Sequence, residues 1–387
     1  MTTRYIPVPV RCMLWGRAAG RCEFAGCNKS LSYHPKTKED VNLAEVAHII
    51  GFSKDGPRGE EELSEELAKD ISNLMLLCGE CHKAIDTNKE RYPVDHLRPM
   101  KIGHERRIEI VGSIDAERQS HVLLYGANVG KHNSPLSYDN AARAMLPDRY
   151  PAESMPITLG LGNSSFKDNA DEFWTIESAQ IRNMVEQRIR PRLATGDIKH
   201  LSVFGFAPQP LLILLGFYIS DIPAAEIFQL HREPQGWHWQ ADPEDFEFLV
   251  HEPAHVAGEV ALVLSLSATI VDERITSVLG EDANIWRITI AKPSNDFLRS
   301  RAQLKAFREL IRSLMDRIKA RHGQNAVLHV FPAVPVAIAV ELGRIIMPKA
   351  DQPLRVYDQN RELGGFVKAL DIPGLDHKEA HSHGIKS

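Results

Sequence analysis

Two stretches of the chain, "VFGFAPQPLLILLGFYI" and "VFPAVPVAIAVELGRII", share the pattern F-x-x-x-P-x-x-x-x-x-x-x-G. Phe204, Pro208 and Gly216 recur as Phe331, Pro335 and Gly343 at a constant offset of 127 residues. The offset holds beyond the motif. Gly196 ends the helix-like "TIESAQIRNMVEQRIRPRLATG", and Gly323 ends "NDFLRSRAQLKAFRELIRSLMDRIKARHG". In the second of these, Leu298, Leu304, Phe307, Leu310, Ile311, Leu314 and Ile318 recur at helical spacing, as on a helix that covers a sheet. Upstream, "ITLGLGNSS" falls near "IWRITIAKPS"; downstream, "AEIFQLH" falls near "PLRVYDQ". Each copy therefore reads strand, long amphipathic helix, strand, apolar helix, strand. That alternation predicts a parallel, Rossmann-like sheet in each half, with halves at about 156–255 and 256–387.

Open parallel sheets bind ligands beyond the carboxyl ends of their strands. Two related halves would share one pocket on a pseudo-two-fold axis, suited to a ligand of near two-fold or cyclic symmetry. No G-x-G-x-x-G follows either strand, which argues against a dinucleotide cofactor. Strand ends nominate Phe206, Pro208 and Gln209 in the first half and Phe331 and Pro332 in the second. Arg232, Lys292, Ser294 and Tyr357 lie at or just past strand ends, where Arg and Lys would pair phosphates. Trp174, Trp237, Trp239 and Trp286 offer faces for a base, or belong to the core; Trp286, at a strand start, reads as core.

The front of the chain obeys a different constraint. All five cysteines (Cys12, Cys22, Cys27, Cys78, Cys81) fall in the first 81 residues. "MTTRYIPVPVRC" lacks the apolar core of a signal peptide, and no window approaches 18 uninterrupted apolar residues. A cytoplasmic protein without membrane association is expected, and there disulfides are rare. Cys22 and Cys27 in "RCEFAGCNKS" and Cys78 and Cys81 in "LLCGECH" form two short hooks, as in a four-cysteine zinc site. A thioredoxin-type redox pair would lack the second hook. Between the hooks, an apolar run carries His48, a Gly/Pro/Lys loop follows, and Asn73 precedes the second hook; His82 opens a helix behind it.

This order of residues resembles the HNH endonucleases, in the subgroup whose ββα-metal motif is braced by a four-cysteine zinc. The resemblance covers roughly residues 20–90 and rests on Cys22, Cys27, His48, Asn73, Cys78, Cys81 and His82. It implies hydrolysis of DNA phosphodiesters. His48, as a neutral imidazole, would take the proton from the attacking water. A Mg²⁺ or Mn²⁺ ion, held by His82, would neutralise the phosphate and stabilise the leaving oxygen. Asn73 would tether the loop that carries His48. Many relatives place Asp or His immediately before the base, whereas this chain has Ala47. The second ligand is assigned to Asp86, one turn after His82, although Asp86 also reads as a solvated helix charge and Glu45 is the alternative. The formal charge of −5 gives no global support for DNA binding, so any such surface must be a local patch. Arg98, Lys101, Arg106 and Arg107, on a helix closing this module, are candidates for one.

The back of the chain resembles the SAVED domain, a fusion of two CARF-like units that senses cyclic oligonucleotides in bacterial anti-phage signalling. "HVFPAVPVAIAVELGRI" and "LRVYD" carry that resemblance. Together the two resemblances imply a multidomain α+β and α/β chain. An HNH domain spans 1–112, a connector 113–155 and a SAVED domain 156–387. Within the connector, "SHVLLYGANVGKH" has Gly126, Gly130 and Lys131 but not the spacing of a phosphate-binding P-loop. The implied activity is an effector endonuclease of cyclic-oligonucleotide-based anti-phage (CBASS) systems. A cyclic di- or trinucleotide would promote homo-oligomerisation and switch on cleavage of double-stranded DNA. Two other classes stay open: a modification-dependent restriction endonuclease, and an inactive nucleotide-binding adaptor.

Overall fold

A computed structural model describes residues 5–127, 136–160, 171–360 and 364–372. The chain divides into two compact units, Met1–Asp115 and Ala116–Ser387.

The N-terminal unit opens with helix α1 (Val8–Ala18) and two short paired strands, β1 (Tyr33–His34) and β2 (Glu39–Asp40). Strands β3 (Ala44–His48) and β4 (Leu74–Cys78) form an antiparallel pair, with Ala44 opposite Cys78 and His48 opposite Leu74. The short helix α2 (Leu63–Glu66) lies between them in sequence. β4 runs directly into α3 (Gly79–Thr87), and α4 (Val94–Gly112) follows. Every residue of β4 is buried, because it lies in the apolar cluster with Leu14, Leu31, Ala47, Ile85 and Leu97. The expected basic patch on α4 loses one member. Lys101 is buried, with Nζ 2.6 Å from Glu105 Oε1 and 3.9 Å from the buried Glu23.

The C-terminal unit holds two sheets of matching topology. Its first half comprises β5 (Gln119–Gly126), α5 (Tyr138–Ala144), β6 (Tyr150–Pro151), β7 (Ile157–Leu159) and α6 (Asp171–Met184). A π-helical turn then leads to α7 (Arg190–Ala194), β8 (Leu201–Phe206), α8 (Gln209–Ile219) and β9 (Ala225–Phe228). A small hairpin, β10 (His231–Arg232) and β11 (Gln235–Gly236), leads to β12 (Leu249–His251). The second half comprises β13 (Val260–Ser265), α9 (Glu273–Leu279), β14 (Asn284–Thr289), α10 (Arg301–His322) and β15 (Leu328–Ala333). It closes with α11 (Val336–Arg344), β16 (Leu354–Asn360) and β17 (Gly365–Ile372).

In the first sheet the parallel order is β7-β5-β8-β9; in the second it is β14-β13-β15-β16. Strands β12 and β17 add antiparallel edges to the second sheet. The expected repeat is thus present, and both halves add a central strand to it, β5 in the first and β13 in the second. The segment 113–155 is not a connector. Its strand β5 pairs with β7 and β8 inside the first sheet, and α5 packs Ala141, Ala144 and Met145 against Val122 and Leu124. The Pro- and polar-rich composition of 133–156 concealed that small-residue helix. Gly130 and Lys131 lie outside the described residues.

The repeat glycines explain their own recurrence. Helices α8 and α11 meet backbone to backbone. A Cβ on Gly216 would sit 2.0 Å from the Val340 carbonyl oxygen, and one on Gly343 would sit 1.8 Å from that of Ile213. Val340 and Ile213 are themselves 127 residues apart, as are Gly343 and Gly216, so each half offers its partner the same contact. That reciprocity places a pseudo-two-fold axis between the helices. Gly216→Val or Gly343→Val should lower the stability of this unit by about 1–3 kcal/mol or more, through overpacking. Urea unfolding followed by tryptophan fluorescence checks this, since four of the five tryptophans lie here.

Candidate functional site

The two cysteine hooks converge. The sulfurs of Cys22, Cys27, Cys78 and Cys81 all lie within 4.8 Å of one another. Cys27 and Cys78 are 4.0 Å apart, close to the spacing of about 3.8 Å that a tetrahedral zinc–thiolate centre requires. Cys78 ends β4 and Cys81 sits in the first turn of α3, so the strand-to-helix junction aims both thiols one way. The backbone N–H of Cys78 donates to Cys22 Sγ at 3.3 Å, joining the hooks directly. Burial pushes the Cys22 thiol up to about 11 and raises Cys81 further. Burial also opposes ionisation of Cys78, but hydrogen bonds from the Cys81 backbone and from the thiols of Cys81, Cys22 and Cys27 together lower that group. A set of four thiols in this geometry could hold a zinc ion. Cys12 is exposed and stands apart from the cluster.

Behind the cluster, His48, His82 and Asp86 line one cleft of about 410 Å³, together with Tyr5, Arg11 and Phe52. His48 ends β3, where its Nε2–H donates to the Ala68 carbonyl at 3.0 Å. In the neutral ring that bond places the proton on Nε2 and the lone pair on Nδ1. Phe52 meets the imidazole edge to face, with centroids 5.5 Å apart.

Asn73 is buried and holds the chain just past His48. Its Oδ1 accepts from Ile50 N at 2.7 Å, while its Nδ2 donates to Ile50 O at 3.0 Å and to Leu67 O at 3.3 Å. Asn73 thus bonds both backbone groups of a single residue, two positions past His48. His82, on α3, makes a hydrogen bond through Nδ1 to Glu45, and its Nε2 lies 3.4 Å from Asp86 Oδ2. Both carboxylates weighed as second ligands therefore flank His82. Asp86 is not merely solvated, since Arg58 Nη2 lies 2.8 Å from its Oδ1. Ala47 is fully buried and offers nothing to the cleft. Arg58 was not singled out from the sequence; the Gly- and Pro-flanked Arg of "GPRG" was the available signal.

The residues nominated at the sheet ends divide. Phe206, Gln209, Arg232, Lys292 and Ser294 are exposed or half-buried at or beyond the carboxyl ends of their strands, and Gln209 Oε1 accepts from Val334 N at 3.1 Å. Pro208 and Pro332 are buried. Phe331 and Tyr357 stack face to face in a buried cluster, 4.4 Å between centroids. Trp286 is buried and donates to His322, and Trp237 packs on Phe204. Trp174 and Trp239 are half-buried.

Comparison with known families agrees with both halves of the chain. The family described as "HNH endonuclease" matches residues 22–89, which bracket the four cysteines and the cleft. The family described as "SMODS-associated and fused to various effectors sensor domain", SAVED, matches residues 181–372. The chain joins an HNH module to a SAVED domain. Among solved structures, the Acinetobacter baumannii Cap4 SAVED/CARF-domain containing receptor with the cyclic trinucleotide 2'3'3'-cAAA is similar. It is 13% identical, with a TM-score of 0.43, over 81% of this chain and 67% of that one. The corresponding Moraxella osloensis receptor is 12% identical, with a TM-score of 0.42, over 75% and 60%. No curated protein gave a match. Among the described residues, no helix of the HNH–SAVED chain is long and apolar enough to cross a membrane.

Asn73→Ala should leave both backbone groups of Ile50 without their partner and destabilise the N-terminal unit by about 1–3 kcal/mol. Hydrogen exchange at the Ile50 amide, accelerated in the variant, checks it.

Proposed function

We propose that the protein is a metal-dependent DNA endonuclease held inactive until its SAVED domain binds a cyclic oligonucleotide. The observation that carries the reading is one chain that pairs a ββα cleft, with His48 and His82 on facing elements, with a match to a sensor domain. The −5 net charge does not draw DNA to the protein as a whole, which suits a nuclease that engages its substrate only on command.

In the cleft, His48 is the general base. Its Nε2–H bond to Ala68 orients the ring, and Nδ1 accepts the proton of a water attacking phosphorus. Asn73 keeps that ring in place by fixing the next turn of backbone. His82 Nε2 and Asp86 Oδ2 form a nitrogen and oxygen donor set suited to Mg²⁺ or Mn²⁺. When bound, such an ion supplies charge neutralisation at the phosphate and at the departing 3′-oxygen. Glu45, on His82 Nδ1, holds the imidazole so that Nε2 faces Asp86.

The four-cysteine cluster is proposed to hold structural zinc, which would contribute of order 10 kcal/mol to a unit with a small core. In the SAVED domain, a cyclic di- or trinucleotide would lie across the carboxyl ends of both sheets, where Phe206, Gln209, Arg232, Lys292 and Ser294 are accessible. Its effect on cleavage requires tighter binding to the active assembly than to the resting protein. Homo-oligomerisation on ligand binding is the proposed route, with double-stranded DNA as substrate and the cytoplasm as its place of action.

Plasmid DNA incubated with Mg²⁺ and a panel of cyclic di- and trinucleotides tests the reading. At least one ligand should start degradation that is absent without it. Inert protein under every ligand would favour the adaptor class, and ligand-free cleavage dependent on base methylation would favour restriction. His48→Ala should abolish cleavage while zinc content and circular dichroism stay as in the wild type. Cys78→Ala should lose the zinc and unfold the N-terminal unit, read by proteolysis, while cyclic-nucleotide binding persists.

A further inference from the structure

Residues 51–59, "GFSKDGPRG", fold into a compact loop that closes on itself. Gly51 N donates to Arg58 O at 3.1 Å, Gly56 N to Ser53 O at 2.9 Å, and Gly59 N to Gly56 O at 3.1 Å. The chain passes so closely that a Cβ on Gly59 would lie 2.2 Å from Ser53 O. At its end Arg58 has φ of 56°, a left-handed backbone that side-chain-bearing residues seldom adopt and that tends to collect at functional sites.

The Arg58 side chain is only 5% exposed. Its acceptors lie on, or one residue past, the two elements that carry the candidate histidines. Nε donates to Ile49 O at 2.9 Å, and Nη2 donates to His48 O at 3.2 Å, at the end of β3. Nη1 donates to Ile85 O at 2.7 Å, and Nη2 donates to Asp86 Oδ1 at 2.8 Å, on α3. A loop that needed only its own closure would not send its arginine across to a helix. Nor does a guanidinium with four such acceptors present itself chiefly to a DNA phosphate.

We infer that Arg58 is a positioning residue: it spans β3 and α3, sets the separation of His48 from His82, and holds Asp86 with its second oxygen toward His82 Nε2. The planar fork matters here, because a lysine offers one charged point and cannot serve three directions at once. This inference rests on the nuclease reading for its purpose, and on geometry alone for its mechanics.

Mn²⁺ binding to the full-length, zinc-loaded, DNA-free protein, followed by calorimetry, is the direct test. Arg58→Gln should weaken Mn²⁺ binding by about tenfold, as loss of a group supporting a metal ligand does. The double variant Arg58→Gln/Asp86→Asn should bind Mn²⁺ no more weakly than Asp86→Asn alone, because Arg58 acts through Asp86. Arg58→Lys should fall between wild type and Arg58→Gln. In activated cleavage, Arg58→Gln should lower kcat by about 10- to 100-fold with KM for DNA within about twofold. Unchanged Mn²⁺ binding, additive losses in the double variant, or a raised KM at unchanged kcat would each overturn the inference. If Arg58→Gln sheds its zinc, Arg58→Lys carries the same comparison. Failure of the wild type to cut under any ligand would refute the nuclease reading and leave the Mn²⁺ result to judge Arg58.

Discussion

Two helices touch backbone to backbone at Gly216 and Gly343, and the C-terminal unit is organised around that contact. Side chains at either position would push α8 from α11 and part the apolar core that both halves share. The closeness also secures a buried charge. Arg344, on α11, donates to the carbonyls of Ser220 and Pro223 in the other half and to Glu341, which Arg308 meets from α10. A buried guanidinium is tolerable only with its donors satisfied, and here the helix contact brings those acceptors within reach. The two sheets thus share a single interior.

The N-terminal unit solves its problem with fewer apolar residues. Its core is a single cluster around β4, and its precision comes from polar groups that each fasten two distant segments. Asn73 fastens the His48 turn, and Glu23 accepts from Leu76 N at 2.5 Å. Burial pushes the Glu23 carboxyl up to about 7, with Lys101 opposing. The cysteine cluster ties residues 22–27 to 78–81 in the same manner.

What could be read from the sequence follows from what each residue must satisfy. The repeat was legible because a steric demand for glycine, and for a proline before each apolar helix, admits few substitutes. That β5 and β13 belong to the repeated sheets was not. They are continuous apolar runs without a fixed motif, and the offset breaks between Gln119 and Val260. The cysteines were legible because two short hooks each aim a pair of thiols at one centre, and Asn73 and the two histidines were legible only through the resemblance to the HNH endonucleases. Arg58 was hidden because three of its acceptors are backbone carbonyls, which leave no trace in residue identity. Phe331 and Tyr357 are buried because the pleat decides which way a strand residue faces. Position near a strand end does not.

The fused repeat has one more consequence. A two-fold homodimer must present identical side chains on both sides of its axis, so it cannot tell one end of a guest from the other. Here the axis relates Gln209 to Val336 and Phe206 to Ala333, pairs that differ in polarity and bulk. Backbone symmetry is kept where the helices cross, while the rim of the sheets has diverged. A molecule lying over that rim would meet two unlike walls. Covalent linkage of the halves has made handedness along the axis a selectable property.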